Sequence, residues 1–367
     1  LFCFFAEDTG IFPTKGQFTN AIDSHTQVDG SDLHTYLDNL FIVLNTEPNS
    51  NFRKGIAAYL DAFPYVNGGL FGSLCDVPSF TRKSRNILIE CGELNWSAIN
   101  PDIFGSMIQA VVTPEHRGGM GMHYTSVPNI MKVIEPLFLN ELQEEFELSK
   151  NEPRKLQALL QRIAKIKIFD PACGSGGMLT EAEHFALEIN PKATFHLYGQ
   201  EVNPETFAIC KADMLIKEED PDKIAFGSTL SNDGFSNLQF DFMLSNPPYG
   251  KTWKIDQPAI VDKKEIIDHR FKIGVPRVND GQLLFLMNMV SKMKKDSELG
   301  SRFATIHNGS ALFTGDAGQG ESEIRKYLFE NDLLEAIIAL PNDLFYNTGI
   351  PTYIFILTNK KDKKRKG

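Results

Sequence analysis

Asn246-Pro247-Pro248-Tyr249 sets an amide, two prolines and a phenol side by side, a combination suited to holding a planar amine while it attacks a methyl group. Two successive prolines fix φ at about −65° and remove two backbone donors, which leaves stiff local carbonyls. The Asn246 side-chain oxygen and the Pro247 carbonyl can each accept a hydrogen from an –NH₂ group, so that its lone pair points outward. Tyr249 offers a face on which a flat ring can stack, and Pro248 keeps the turn rigid. The same tetrapeptide also makes an ordinary turn; its chemistry depends on the elements that surround it.

Those elements read as a nucleotide-binding device. Lys165 to Phe169 is a short β-branched run that predicts a buried strand, and it empties into Asp170-Pro171-Ala172-Cys173-Gly174-Ser175-Gly176-Gly177, followed by an apolar-periodic helix from Met178 to Glu188. The glycines permit positive φ and close backbone approach, and the start of the helix presents free N–H groups to a polar ligand. A dinucleotide fingerprint starting at Gly174 would need glycine where the chain has Leu179, and a phosphate-binding loop ending at Gly250-Lys251-Thr252 would need glycine at Ser245. Both competitors fail on those positions.

A second predicted strand, Thr194 to Gln200, ends at Glu201, where a carboxylate is placed to take both hydroxyls of a ribose. A helix from Pro204 to Lys217 leads to a third strand, Lys223 to Gly227, and a fourth, Gln239 to Ser245, delivers the Asn-Pro-Pro-Tyr turn. Strands alternating with helices predict an α/β fold, a doubly wound and mostly parallel sheet of Rossmann-like type.

Taken together, Asp170 to Gly177 and Asn246 to Tyr249 resemble the cofactor-binding and catalytic motifs of the adenine-specific DNA methyltransferases, whose methyl donor is S-adenosylmethionine. Gly121-Met122-His123-Tyr124-Thr125-Ser126 resembles the segment that these enzymes place ahead of the Gly-rich motif, against the methionine end of the cofactor. Asp280-Gly281 opening a helix, Arg302 to His307 as a strand, and Phe345 to Thr352 resemble the rest of the catalytic domain of type I modification subunits, so that the likeness runs from Val111 to Lys360. The resemblance implies catalytic roles for Asn246, Pro247, Pro248 and Tyr249. It implies cofactor contacts from Tyr124, Thr125, Asp170, Ala172, Gly174, Ser175, Gly176, Glu201, Ser228 and Asn246. The type I pattern usually has an aspartate in the segment Gly227 to Leu230, where this chain has Ser228; Ser228 or Asp213 is expected to take its place against the adenine ring. The implied reaction is direct transfer: a target adenine flips out of the duplex, stacks on Tyr249 and has its amine held by Asn246 and Pro247, with no metal and no covalent intermediate.

The chain ahead of this region has a different character. Leu1 to Gly10 and Pro64 to Phe71 resemble the helical region that precedes the methyltransferase domain in single-chain type IIG restriction-modification enzymes. Ser31 and Asp32 are expected to cap a helix whose apolar positions Leu33, Tyr36, Leu37, Leu40, Phe41 and Leu44 follow the 3.6-residue period and pack as core. Two parts follow, a helical region over 1–110 and a catalytic domain over 111–367.

Bulk properties bound the rest. With 367 residues and 42% hydrophobic content the chain can bury a large core. Its five cysteines show no paired short spacing, which predicts neither a disulfide framework nor a zinc site, and Cys173 reads as a small buried loop residue. No apolar run approaches membrane-spanning length, so a soluble cytoplasmic protein is expected. A start at Leu1 and a basic end suggest a piece of a longer protein.

The formal charge of −10 repels DNA on average. Affinity for duplex DNA must then come from a local basic surface or from a target-recognition domain or specificity subunit absent from this chain; no nuclease motif is visible either. Lys251 to Arg277 carries seven basic residues (251, 254, 263, 264, 270, 272, 277) against four acids (256, 262, 265, 268), with Trp253 among them, and reads as DNA-facing. The tail from Lys360 to Lys366 reads as a solvated end. Two other classes fit parts of the pattern: methylation of a protein glutamine amide, and a non-catalytic subunit that keeps the fold as a scaffold. Methylation of the cytosine amine is a close variant, more often marked by serine in place of Asn246.

Overall fold

The computed structural model describes residues 1–66, 70–71, 77–98, 127–189, 195–217, 219–295, 300–342 and 349–361. The chain divides into two compact units, Leu1–Met107 with Lys211–Asp222, and Ile108–Cys210 with Lys223–Gly367.

The larger unit is built on a seven-stranded sheet. Its strands are β1 (Lys167–Asp170), β2 (His196–Glu201), β3 (Ile224–Phe226), β4 (Phe242–Ser245), β5 (Arg302–Asn308), β6 (Leu334–Ala339) and β7 (Thr352–Thr358), in the order β3-β2-β1-β4-β5-β7-β6. The first five run parallel, with Phe169 opposite both Tyr198 and Met243, and β7 lies antiparallel between β5 and β6. Strand order reverses between β1 and β4, the point at which doubly wound sheets bind ligands beyond their carboxyl ends. The expected strands and helices are present with ends displaced by at most three residues. Lys165 and Ile166, for example, precede β1.

β1 and β4 are buried along nearly their whole length, which is why they read as apolar runs with no alternation. Phe169, Phe240, Met243, Phe303, Phe355 and Leu357 form one core with the helix Gln282–Ser291, whose first eight residues are all buried. Two polar residues, Gln282 and Asn288, are enclosed with that helix at 2% and 0% exposure, so they must be satisfied from inside the protein.

The smaller unit is helical and rich in phenylalanine, with Phe2, Phe4, Phe5, Phe12, Phe18, Phe63 and Trp96 in one core and Phe4 stacked on Trp96 at 5.4 Å between centroids. The helix Leu33–Leu44 buries Leu33, Tyr36, Leu37, Leu40 and Leu44 as its period predicts. Its start differs from expectation: Asp32 makes no side-chain cap, because its carboxylate accepts the Gln27 N–H at 2.7 Å while Ser31 is bonded to Asp29. The other end is closed by a cation. The Arg53 guanidinium donates to the carbonyls of Val43, Thr46 and Phe63, and Arg85 does the same for Ile22 and Asp23 at the end of the helix Gln17–His25. Among the described residues no helix is long and apolar enough to cross a membrane.

Candidate active site

β1 and the helix Gly177–Ile189 are joined by a loop that must fold back on itself. Gly174 and Gly176 sit at φ +56° and +89°, where a side chain would be strained, and a Cβ at Gly174 would meet nothing within 4 Å. The loop is pinned by Cys173 N–H donating to Gln200 O at 3.1 Å and Gly176 N–H donating to Cys173 O at 2.8 Å. Cys173 is buried, as expected, and its Sγ lies 3.9 Å from that of Cys210, a neighbour that spacing in sequence does not reveal. Gly199 leaves room for this thiol, since a Cβ there would come within 2.8 Å of Cys173 Sγ.

Two carboxylates stand at the ends of neighbouring strands. Asp170 Oδ1 accepts from Ala172 N–H and from the Ser245 hydroxyl, both at 2.9 Å, so one oxygen joins the Gly-rich loop to the residue before Asn246. Desolvation raises the Asp170 pKa to about 7, and the neighbouring Glu201 charge acts in the same direction. Glu201 accepts from Gly174 N–H at 3.0 Å and Asn203 N–H at 2.8 Å, which fixes its head over the loop; its pKa too is raised by burial. A carboxylate has about four lone-pair sites, so these two bonds leave capacity for a pair of hydroxyls.

Beyond β3 the chain turns at Gly227, φ +121°. Gln200 holds that turn by donating to Gly227 O and Asn232 O and accepting from Gly234 N–H, while Thr229 donates to Pro171 O at 2.5 Å. Ser228 is half-buried here, its hydroxyl accepting the Leu230 N–H at 3.3 Å. Asp213 is the other candidate for the place of the aspartate that this chain lacks. It belongs to the segment Lys211–Asp222 of the helical unit and pairs with Lys217 at 3.2 Å, which leaves Ser228 as the residue of this unit in the place of the family's aspartate.

At the end of β4, Asn246 is half-buried, Pro247 buried, Pro248 exposed and Tyr249 half-buried, with the phenol pKa raised by desolvation. The turn is held from the far side. Asp280 Oδ1 accepts the N–H of Gly250, next to Tyr249, at 3.0 Å, and its Oδ2 accepts from Gln282 Nε2 at 2.7 Å and the Ser310 hydroxyl at 3.0 Å. Gln282 Oε1 faces His307 Nδ1 at 3.1 Å and accepts the Asn308 N–H at 3.2 Å. An amide oxygen only accepts, so the His307 Nδ1 carries the proton. Burial drives the His307 pKa to about 3, which keeps the ring neutral. The sequence marked Asp280 only as a helix opening; the signal for its network was a glutamine, Gln282, at the head of an otherwise largely apolar helix.

The basic segment after the turn is less uniformly DNA-facing than its composition suggests. Trp253 is 2% exposed and donates from Nε1 to Arg277 O at 3.0 Å. Arg270 is 7% exposed and clamps the Thr229 and Leu230 carbonyls, Asn288 and Asp268. Both are structural, and this corrects their place in the exposed set. Lys251, Lys254, Lys263, Lys264, Lys272 and Arg277 remain exposed. Tyr124, Thr125, Phe345 to Thr348 and most of the basic tail lie outside the described residues. A separate cavity of about 390 Å³, lined by Phe242, Arg302 and Lys294, opens at the amino-terminal edge of the sheet and takes no part in this group. Among the described residues no cluster of histidine, cysteine or acidic side chains could hold a metal ion.

The donor set fits S-adenosylmethionine. Open space over Gly174, a helix start aimed at the loop, two carboxylates beside a ligand that carries positive charge, and a half-buried serine beyond β3 suit the parts of that molecule.

Comparison with known proteins agrees. The sequence pattern of the family described as N-6 DNA methylase matches residues 152–367, and that of the MmeI helicase spacer domain matches residues 1–71. The chain is 55% identical over 193 residues to DNA methyltransferase A of Bacillus subtilis, a stretch that makes up 52% of this chain and 21% of that protein. It is 30% identical over 223 residues to the type I restriction enzyme MjaIX methylase subunit of Methanocaldococcus jannaschii, or 59% of this chain and 38% of that one. Among solved structures, the type IIL restriction-modification enzyme MmeI in complex with DNA matches 99% of this chain and 53% of its own, with TM-score 0.72 and 27% identity. The type I methyltransferase subunit of Streptococcus thermophilus, with TM-score 0.60 and 19% identity over 94% of this chain and 64% of that one, shares the fold. The chain thus spans from a fifth to about half of the length of the relatives first named.

Proposed function

We infer the activity of this chain from its family: it belongs to the N-6 DNA methylases, and its reaction is transfer of a methyl group from S-adenosylmethionine to the exocyclic amine of adenine in DNA, within a restriction-modification system. The observation that carries this reading is that Asp170, Glu201 and Asn246 end or follow three adjacent parallel strands, β1, β2 and β4, at the point of strand reversal. A buried carboxylate with a pKa raised to about 7, beside the open space over Gly174, supports a ligand-binding role for this loop.

S-Adenosylmethionine supplies, when bound, a methyl group on a cationic sulfur. Asp170, Ala172, Gly174, Ser175 and Gly176 are assigned its holding loop, Glu201 the ribose hydroxyls, Ser228 the adenine ring, and Tyr124 with Thr125 the methionine end. Asn246 and the Pro247 carbonyl accept the two hydrogens of the target amine. Its lone pair is delocalised into the ring, so acceptors that favour an sp³-like nitrogen stabilise the transition state more than the ground state. Tyr249 stacks on the flipped base, and Pro248 and the Asp280 bond to Gly250 hold the turn still. Residues 111–367 form the catalytic part and 1–110 the helical part of a cytoplasmic enzyme whose partners are duplex DNA and a recognition domain or specificity subunit. The test is transfer of labelled methyl from S-adenosylmethionine to duplex DNA by the full-length protein, followed by nucleoside analysis. Label in N6-methyl-2′-deoxyadenosine supports the reading; label in N4-methyl-2′-deoxycytidine, in a protein glutamine, or nowhere overturns it.

A further inference from the structure

Ile255 is 92% exposed, more than any other large apolar side chain among the described residues, and it follows Tyr249 by six positions. That separation limits its distance from the catalytic turn to about 20 Å. It is held firmly in this exposed position. On one side Trp253 is buried, its backbone N–H donating to Val278 O and its indole to Arg277 O, both at 3.0 Å. On the other, the Asp256 and Gln257 N–H groups both bond Trp253 O, at 3.0 and 3.1 Å, and the Asp256 carboxylate accepts from the Ser231 hydroxyl at 2.6 Å. Lys254 and Ile255 therefore form the tip of a closed turn, anchored at both ends.

The charge of the segment that carries this tip selects its partner. Lys251, Lys254, Lys263, Lys264, Lys272 and Arg277 are exposed in the same segment, against the exposed acids Asp262 and Glu265 and the half-buried Asp256 and Asp268, the last of which is paired with the buried Arg270. An apolar tip in a segment that carries six exposed cations, in a chain whose overall charge is −10, suits a polyanion with an apolar interior. A base stack is such an interior, and removal of one base opens a gap of side-chain size.

Resting on the reading that the target is an adenine in duplex DNA, we propose that Ile255 is a positioning residue that enters the base stack as the target base leaves it, holding the flipped state open. The test uses the full-length protein and two duplexes carrying the sequence that it methylates, one fully paired and one with an abasic site opposite the target adenine, where flipping needs no unpairing. Ile255→Ser should lower methyl transfer on the paired duplex by about 10-fold or more, while on the abasic duplex its rate should stay within about twofold of wild type. Ile255→Leu should behave as wild type on both. An equal loss on both duplexes, or no loss on either, overturns the wedge while leaving adenine methylation standing. A lowered melting temperature for Ile255→Ser would mean that another part of the full-length protein covers the side chain, and this too overturns it. If wild type transfers no methyl group to either duplex, the adenine reading itself falls and the wedge with it.

Discussion

Asp170→Asn should make the cofactor-free protein more stable while weakening its grip on the methyl donor. Asp170 is 1% exposed and its pKa stands at about 7 through desolvation, whereas an unfolded aspartate titrates at about 3.9. Between these two values the folded chain holds a proton that the unfolded chain has lost. Stability therefore falls as pH rises across that window and levels off above it. Integrated from pH 5 to pH 8, the loss amounts to about 2.5 kcal/mol. Asparagine retains an acceptor for the Ala172 N–H and the Ser245 hydroxyl, the two bonds that Asp170 Oδ1 makes, so the substitution removes the buried charge with little loss of packing. Urea unfolding of wild type and variant at pH 5 and pH 8 without cofactor measures the difference. A cationic ligand favours the ionised carboxylate, so wild-type affinity for S-adenosylmethionine should weaken by up to about tenfold per unit as pH falls below 7; the variant should bind weakly with a flatter profile. Parallel stability curves for the two proteins would refute the assignment of a strained buried charge to this position.

Other perturbations separate the parts of the site. Asn246→Ala should reduce methyl transfer by roughly 10²-fold or more with cofactor affinity unchanged by calorimetry, as expected for loss of an acceptor used in the transition state. Tyr249→Phe should keep most activity and Tyr249→Ala should lose about 1–3 kcal/mol of base stacking, measured on a duplex with an unpaired target; equal damage from the two would make the hydroxyl the working group. Arg270→Ala strands Asp268 and frees the Thr229 and Leu230 carbonyls, so denaturant unfolding should show about 3–5 kcal/mol of destabilisation. Lys263 and Lys264 occupy the two-residue turn between Val261–Asp262 and Glu265–Ile266 at φ 45° and 78°, a place that suits Asn-Gly. Lys263→Asn with Lys264→Gly should raise stability by about 1 kcal/mol and lower the salt dependence of DNA binding by about two phosphate contacts.

Much of this site was legible before any coordinates because its carrier motifs are local. A strand running into a Gly-rich turn and a strand running into Asn-Pro-Pro-Tyr are each contained in about ten residues, and their backbone chemistry constrains them wherever they occur. What escaped was non-local. Ser245 reaches Asp170 across 75 residues, Thr229 reaches Pro171 across 58, Cys173 and Cys210 meet across 37, and Asp280 holds Gly250 across 30. Side-chain type alone also misplaced residues with two possible uses. Asp32 could cap its helix or close the preceding loop, and the free Gln27 N–H took it; Arg270 could face phosphate or satisfy buried carbonyls, and the enclosed Thr229–Leu230 turn claimed it.

The central claim, that this chain methylates the amine of adenine in DNA through the Asn246 turn, is tested most directly by sequencing genomic DNA for modified bases in cells that express the full-length gene, as wild type and as Asn246→Ala. The account predicts N6-methyladenine at one recurring sequence in the wild-type cells and its absence with the variant. Methylation that persists in the variant, or wild-type DNA that carries modified cytosine or no modification, would contradict it.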